Sequence, residues 1–549
     1  MHILWCTIFS SLPLQATLPD PHLFLNSLSL EQKIGQLFMV PVITDRAINT
    51  QFLEHTPYPM DHLYVESLIT DYQVGGVIFL GSSSITSLHT MINRLQSLST
   101  IPLLIGLDGE WGIAMRVYDA IKWPYALTLG ALTDTTLVRT LGQMIGKEYK
   151  ALGIHINFAP VADINTNADN PVIGYRSFGS CPDRVTRSCV ALAQGLHDTG
   201  IISCAKHFPG HGDTVVDSHY TMPIITHNKD RLEHIELKPF TELITATIPA
   251  LMTAHVAVPA LDSTNRPASL SYSITTQLLK NKLGFTGLVI TDGLGMQAVT
   301  AGKEPGHVEL EALLAGNDIL LCPVQVPQAI ACIKQAIEDG RLSMAQLDAT
   351  VLKILQAKAH VAKNTVTSLP ISLTEQLHAP ELYTLKATLF EHAITCVRDV
   401  HTILPLAPKQ PIIHLQLGDR DAHTHFAHAL EAQFEVTHVC ADTDAEYNAM
   451  RENMHTTMPD DSPLIISVHG MSKYARDNYN ITPALHALIK HLYSQYPRSV
   501  VVLFGNPYST YLFPDAPCLL CGYEDEYEAH DAMVKIVSGS LVARGILPV

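Results

Sequence analysis

GIISCAKHFPGHGDTVVDSH, residues 200–219, joins two unlike halves. The first holds ISCAKH (202–207), a short apolar run with no regular alternation of polar and apolar residues. Such a run suits a strand buried on both faces of a parallel sheet. The second half, from Lys206 to His219, packs three histidines, one lysine and two aspartates among prolines and glycines. A buried strand running straight into a polar loop is the unit from which α/β enzymes build their sites.

Seven similar runs occur in the first two thirds of the chain: 36–42, 75–80, 102–108, 154–161, 250–256, 287–292 and 318–323. Between them lie stretches of helical character that end in glycine, a common helix stop. Examples are DTTLVRTLGQMIGKEYKALG (134–153) and VTRSCVALAQGLHDTG (185–200). Eight strands alternating with helices over about 300 residues predict a (β/α)8 barrel. Active sites of that fold lie at the C-terminal ends of the strands. Polar residues fall there: Asp108, Asp163, Lys206 with His207, His255 and Asp292.

The catalytic barrel is expected over 20–360, and the polar, proline-containing stretch 361–379 reads as a linker. Beyond it, 380–399 looks helical. PIIHLQLG (411–418), PLIISVHG (463–470), SVVVLFGNP (499–507) and CLLCGY (518–523) look like strands. A smaller α/β domain is therefore expected over 380–549.

The chain of 549 residues is 47% hydrophobic and 16% charged, with a formal net charge of −17. That composition supports two folded cores and sets nucleic acid and anionic membrane aside as partners. The ten cysteines lie mostly in apolar runs and read as buried core residues. The Cys518–Cys521 pair has redox or zinc spacing but apolar filling, and reads as a buried strand. No apolar run reaches the roughly 20 residues of a membrane span. Residues 1–19 resemble a signal peptide in their apolar stretch, although the first basic residue is Lys33. Export is favoured over cytoplasmic retention.

Asp292 follows an apolar run and is flanked by Gly293 and Gly295, which leaves its carboxylate open to a substrate. It could instead cap a helix. The 206–219 loop admits three readings. His207, His211, Asp213, Asp217 and His219 could bind a divalent metal, although the HExxH spacing is absent. They could simply hold a tight loop together, a role that suits His211 and Asp213. Or Asp217 and His219 form a dyad in which the carboxylate orients an imidazole for general acid and base work. An aspartate nucleophile with a proton donor is the minimum equipment for retaining glycoside hydrolysis.

KHFPGHGDTVVDSH followed by VITDGLGM closely resembles glycoside hydrolase family 3, in its bacterial β-N-acetylglucosaminidase branch. LSLEQKIGQLFMV, GLDGEWGIAMRV, INFAPVADINTN, GYRSFG, LLAGNDILL and GNPY agree. The resemblance covers the barrel almost fully and the second domain more loosely, as the α/β sandwich of two-domain members. It implies that Asp292 is the nucleophile, His219 the acid/base and Asp217 its partner. It implies further that Asp108, Arg176, Lys206 and His207 hold the sugar, with Arg116 and His255 as weaker candidates. Trp111 replaces one glycine of a two-glycine run seen in many members, so the pocket edge is expected to differ. Arg176 and Lys206 could also be structural ion-pair partners, His255 could act from behind the pocket, and Tyr175 reads as a wall. No cofactor or metal is implied.

The reaction implied is removal of terminal β-linked N-acetylglucosamine (GlcNAc), with peptidoglycan-derived muropeptides as the expected substrates. Phosphorolysis is an alternative, because a histidine acid/base does not repel an anionic acceptor. A β-glucosidase of the same family is another, and DSH (217–219) argues against it. A metal-dependent hydrolase and a catalytically dead sugar-binding module complete the alternatives. Asn506 and Tyr508 are placed where they could reach the cleft.

Overall fold

The computed structural model describes residues 20–43, 62–216, 221–362, 372–419, 424–453 and 462–549. The leader read at 1–19, residues 363–371 of the linker, and both Asp217 and His219 lie outside them.

All eight apolar runs are strands. They are β1 (Phe38–Ile43), β2 (Gly76–Leu80), β3 (Leu104–Leu107), β4 (Ile156–Asn157), β5 (Ile202–Phe208), β6 (Ala250–Thr253), β7 (Leu288–Thr291) and β8 (Leu320–Leu321). Every residue in them is buried, which is why they read as unbroken apolar runs. Each pairs in parallel with the next, and β1 pairs with β8. A parallel bridge between Ile290 and Ile319 joins β7 to the start of β8 and closes the barrel.

Helices between the strands form the outer layer. Thr135–Leu152 is capped by the Asp134 side chain and stopped by Gly153 in the left-handed region, φ 77°. It packs on the helix Pro182–Asp198 at very short range. A Cβ on Gly195 would lie 2.1 Å from the Arg139 carbonyl oxygen, so only glycine fits that crossing.

A second sheet follows: β9 (Thr395–Asp399), β10 (Pro411–Leu417), β11 (Glu435–Ala441), β12 (Leu464–Val468), β13 (Ser499–Leu503) and β14 (Cys518–Cys521). Its order is β11-β10-β12-β13-β14-β9, with only β9 antiparallel. One apolar core, with Phe426, Phe504 and Met533, covers one face, and another, with Ile466, Leu488 and Leu492, covers the other. The architecture is a (β/α)8 barrel followed by an α/β sandwich, as expected from the sequence.

Two readings need correction. The helix from Pro380 ends at Ala393, and 395–399, read as its continuation, is β9. β11 was not foreseen: it is a partly exposed edge strand with His438 and Cys440 on it, so its pattern is weak. Cys518 and Cys521 are free thiols buried on β14.

The two units are stitched together at several points. Glu524, just after β14, accepts from Tyr125 N (2.7 Å), Thr128 Oγ1 (2.7 Å) and Lys122 Nζ (2.9 Å) of the barrel unit. The C-terminal segment returns to the barrel helices. Ile546 O accepts from Arg184 Nη1 at 2.7 Å, and Pro548 O accepts from Ser180 N at 2.8 Å.

Candidate active site

The polar strand-end residues gather on one rim of the barrel. Asp108 leaves β3, Asp163 follows β4, Lys206 and His207 end β5, His255 follows β6 and Asp292 follows β7. Five of the side chains on this rim form a chain of alternating charge. Arg116 Nη2 donates to Asp108 Oδ2 at 2.8 Å, and Lys206 Nζ donates to Asp108 Oδ1 at 2.9 Å. Lys206 Nζ also lies 2.8 Å from Glu110 Oε1. Arg176 grips Glu110 with both Nε (2.9 Å) and Nη2 (2.8 Å).

Burial alone would make these charges costly, and their pairing answers that cost. Burial raises the Asp108 carboxyl, but Lys206 and Arg116 outweigh it and hold the group below the usual range. Glu110 is likewise pushed up by burial, yet Arg176 and Lys206 bring it down to about 2. Burial pulls the Lys206 ammonium down, and the two carboxylates more than restore it. Both cations therefore stay charged. An ammonium has three donors, and Lys206 commits two, to Asp108 and Glu110, leaving one for a ligand.

His207 is held by Asp163. Its Nδ1 donates to Asp163 Oδ2 at 2.6 Å, and Asp163 Oδ1 accepts from the backbone N–H of His207 and His211. Asp163 is fully buried, so the imidazole is fixed in direction and its Nε2 is left to face a ligand. Asp292 is partly exposed, and its Oδ1 accepts from Gly293 N at 2.8 Å. It caps no helix: the next one, Gln297–Thr300, is preceded by Met296.

His255 differs from the expectation of a direct sugar contact. It is fully buried, and both ring nitrogens are engaged, Nδ1 with Ser269 Oγ (2.7 Å) and Nε2 with the Gly293 carbonyl (2.9 Å). A carbonyl only accepts, so Nε2 carries the proton. His255 thus fixes the backbone beside Asp292 instead of reaching a ligand.

The other loop residues have separate partners. His211 Nδ1 meets Thr214 Oγ1 at 2.9 Å. Burial and the neighbouring His207 hold its imidazole down at about 4, against Asp163 and Asp292. Asp213 pairs with His227 and with Arg231. Two groups among the described residues could hold a metal: Asp213 with His227 and Glu236, and His469 with Asp525 and His530. In the first, Arg231 already bonds both carboxylates. In the second, which belongs to the sandwich, Asp525 Oδ1 takes His469 at 3.0 Å and His530 at 2.7 Å.

The second unit also reaches the rim. Tyr508 Oη donates to Asn165 O at 2.9 Å and accepts from Asn165 Nδ2 at 2.8 Å. Asn165 Oδ1 in turn accepts from Gly174 N, at the start of the turn that carries Arg176. Asn506 does not reach the cleft: its Nδ2 donates to the Lys473 carbonyl at 2.8 Å. Lys473 then lies among four rings, 5.6 Å from the Trp111 centroid, 5.3 Å from Tyr125, 4.5 Å from Tyr175 and 5.6 Å from Tyr474. Tyr175 is buried and packs edge-on against Tyr125 and Tyr474. Glu110, Asn165 and Lys473 were not singled out in the sequence. Only Glu110 had a local signal, two residues past Asp108 at a strand end.

The glycosyl hydrolase family 3 N-terminal domain matches residues 29–357. The chain belongs to glycoside hydrolase family 3. It is 30% identical over 543 residues to "Beta-hexosaminidase A" of Pseudoalteromonas piscicida, covering 88% of this chain and 90% of that one. "Beta-hexosaminidase LpqI" of Mycobacterium tuberculosis is 34% identical over 304 residues, 53% of this chain and 78% of that one. Among solved structures, a family 3 β-N-acetylglucosaminidase from Paenibacillus sp. str. FPU-7 superposes with a TM-score of 0.77 at 28% identity. That match covers 95% of this chain and 99% of the other. The family 3 chain is a glycoside hydrolase.

Proposed function

We propose that this family 3 hydrolase is a retaining exo-β-N-acetylglucosaminidase that removes terminal non-reducing GlcNAc, with peptidoglycan-derived muropeptides as its substrates. The observation that carries the reading is Asp292 at the end of β7, on the same rim as the paired Lys206, Arg176 and His207. The names of the similar proteins support the choice of sugar.

In this reading the Asp292 carboxylate attacks the anomeric carbon. His219, oriented by Asp217, protonates the departing oxygen. A covalent glycosyl-aspartate forms. His219, now a base, takes a proton from water as the water displaces Asp292, and the two inversions retain configuration. The positive charge developing on the ring is stabilised by Asp292. The paired cations serve the hydroxyls: Lys206 through its third N–H, Arg176 along its outer edge, with Asp108 accepting through its remaining lone pairs. Arg116 fixes Asp108, and His255 fixes Gly293 beside the nucleophile.

The test is turnover of p-nitrophenyl β-N-acetylglucosaminide with and without phosphate, beside the matching glucoside. Free GlcNAc in both buffers is expected. Sugar 1-phosphate as the main product would overturn hydrolysis, and faster cleavage of the glucoside would overturn the sugar assignment.

A further inference from the structure

The segment that carries Lys473 has two cations and no carboxylate partner. Among the described residues no carboxylate lies within ion-pair distance of Lys473 or Arg476. Lys473 is half-buried, and burial of a charge is costly unless it finds a partner. Its neighbours are instead the faces of Trp111, Tyr125, Tyr175 and Tyr474. Arg476 lies 5.7 Å from the centre of the same Tyr474 ring. The carboxylates that act on Lys473, Glu524 and Glu110, do so from beyond ion-pair distance and are themselves bonded to Lys122 and to Lys206 with Arg176.

The segment is also built at a cost. Asp477, Asn478, Tyr479 and Asn480 take φ values of 55°, 47°, 61° and 65° in succession. Left-handed residues normally occur singly, and strain of this kind gathers at functional sites. The turn is pinned by Ser472 N donating to Tyr479 O at 2.9 Å, by buried Tyr479 in the cluster with Tyr175 and Tyr508, and by Asn506 on the Lys473 carbonyl. The position of Lys473 is therefore specified from three sides.

Lys473 stands over Tyr175, and Tyr175 precedes Arg176, which grips Glu110. It thus lies just outside the charged chain assigned to the sugar that is cleaved. Aromatic walls with cations among them, Lys473 at the centre and Lys122 and Arg476 at the edges, make a site for a flat or sugar-like group that carries negative charge.

We propose that Lys473, held in this aromatic box, binds an anionic group at the edge of the sugar site, either a carboxylate on the substrate or an inorganic phosphate. The inference rests on the glycosidase reading for the identity of the neighbouring subsite. The ammonium is the recognising element, and Trp111 and Tyr474 are the walls. Burial and the nearby Lys122 lower the Lys473 ammonium below its usual range, against the opposing pull of Glu524 and Glu110, and a bound anion would add to that pull.

The experiment compares the full chain with Lys473→Met and Lys473→Arg. The ligands are 4-carboxyphenyl β-N-acetylglucosaminide, its uncharged 4-carbamoylphenyl partner, and inorganic phosphate. Binding is followed by tryptophan emission, which reports Trp111 and needs no turnover; kcat/KM is measured alongside, and thermal melts check folding. The ratio of acid to amide affinity is expected to fall about tenfold in Lys473→Met and to hold within threefold in Lys473→Arg, the scale of a charged hydrogen bond. Intrinsic differences between the two glycosides cancel in that ratio. A tenfold weakening for phosphate alone would place phosphate as the anion. Equal ratios and equal phosphate affinity in both variants and the parent would overturn the inference and leave Lys473 a pin between the two units. Failure to cleave either glycoside would overturn the assigned reaction, with the binding ratios still deciding the anion site.

Discussion

Glu110→Gln is the sharpest test of the charged chain. Glutamine keeps the shape of glutamate and removes its charge. The side chain of Glu110 is 2% exposed and receives three donors, two from Arg176 and one from Lys206. One amide oxygen cannot accept all three in the same geometry, so a donor faces a donor. Arg176 would lose its bidentate partner, and Lys206 would keep only Asp108, which Arg116 already holds. Breaking a buried pair costs about 3–5 kcal/mol.

Proton linkage gives the same scale. Glu110 sits at about 2 in the folded chain against 4.5 ordinarily. Its contribution is present above pH 4.5 and lost as pH falls toward 2, about 3 kcal/mol in all. Urea unfolding followed by tryptophan emission should therefore show Glu110→Gln about 3 kcal/mol less stable at pH 7, with a smaller gap near pH 3. A misplaced Arg176 should also lower kcat/KM about 100-fold. Pairing predicts that Glu110→Gln/Arg176→Met is less damaging than the sum of its parts by about 2 kcal/mol. A single variant within 1 kcal/mol of the parent, or strict additivity, would refute the reasoning.

Asp292→Ala should abolish turnover of the aryl GlcNAc glycoside, and near-normal activity would remove it as nucleophile. His219→Ala should slow substrates with poor leaving groups far more than activated ones, as loss of a general acid does; equal losses would count against that role. Glu148 is buried, accepts from Trp123 Nε1 at 3.0 Å and has its carboxyl pushed up to about 8 by burial. A raised carboxyl stabilises the fold fully below pH 4.5 and loses that contribution as pH rises through 8. Glu148→Gln should thus match the parent near pH 4.5 and exceed it by about 4 kcal/mol at pH 8, read from urea midpoints; a gap that does not change with pH would refute this.

The barrel was legible because its strands are buried on both faces, and burial writes an unbroken apolar run into each. The strand-end rule then located Asp108, Asp163, Lys206, His207 and Asp292 from position alone. β11 escaped because an edge strand with one half-exposed face has no such signature. β9 escaped because AITCVRD follows a helix with no glycine or proline between them, although Ile394, Thr395 and Val397 are β-branched and favour a strand. His255 was left open between touching the sugar and acting from behind the pocket, since a sequence shows that a histidine stands at a strand end but not that Ser269 and Gly293 occupy both nitrogens. Lys473 could not be read at all. It lies roughly 300 residues from Tyr175, and only the docking of the two units brings them together.

That docking has a mechanical consequence. The sandwich is joined to the barrel where it begins, and its last residues return to Arg184 and Ser180 on the barrel's outer layer. A body suspended from one tether can swing, whereas one suspended from two can only twist about the line between them. Glu524 and Tyr508 add two further points of attachment. Four attachments spread over the sandwich's sequence therefore share the load, and loss of any one leaves the other three in place.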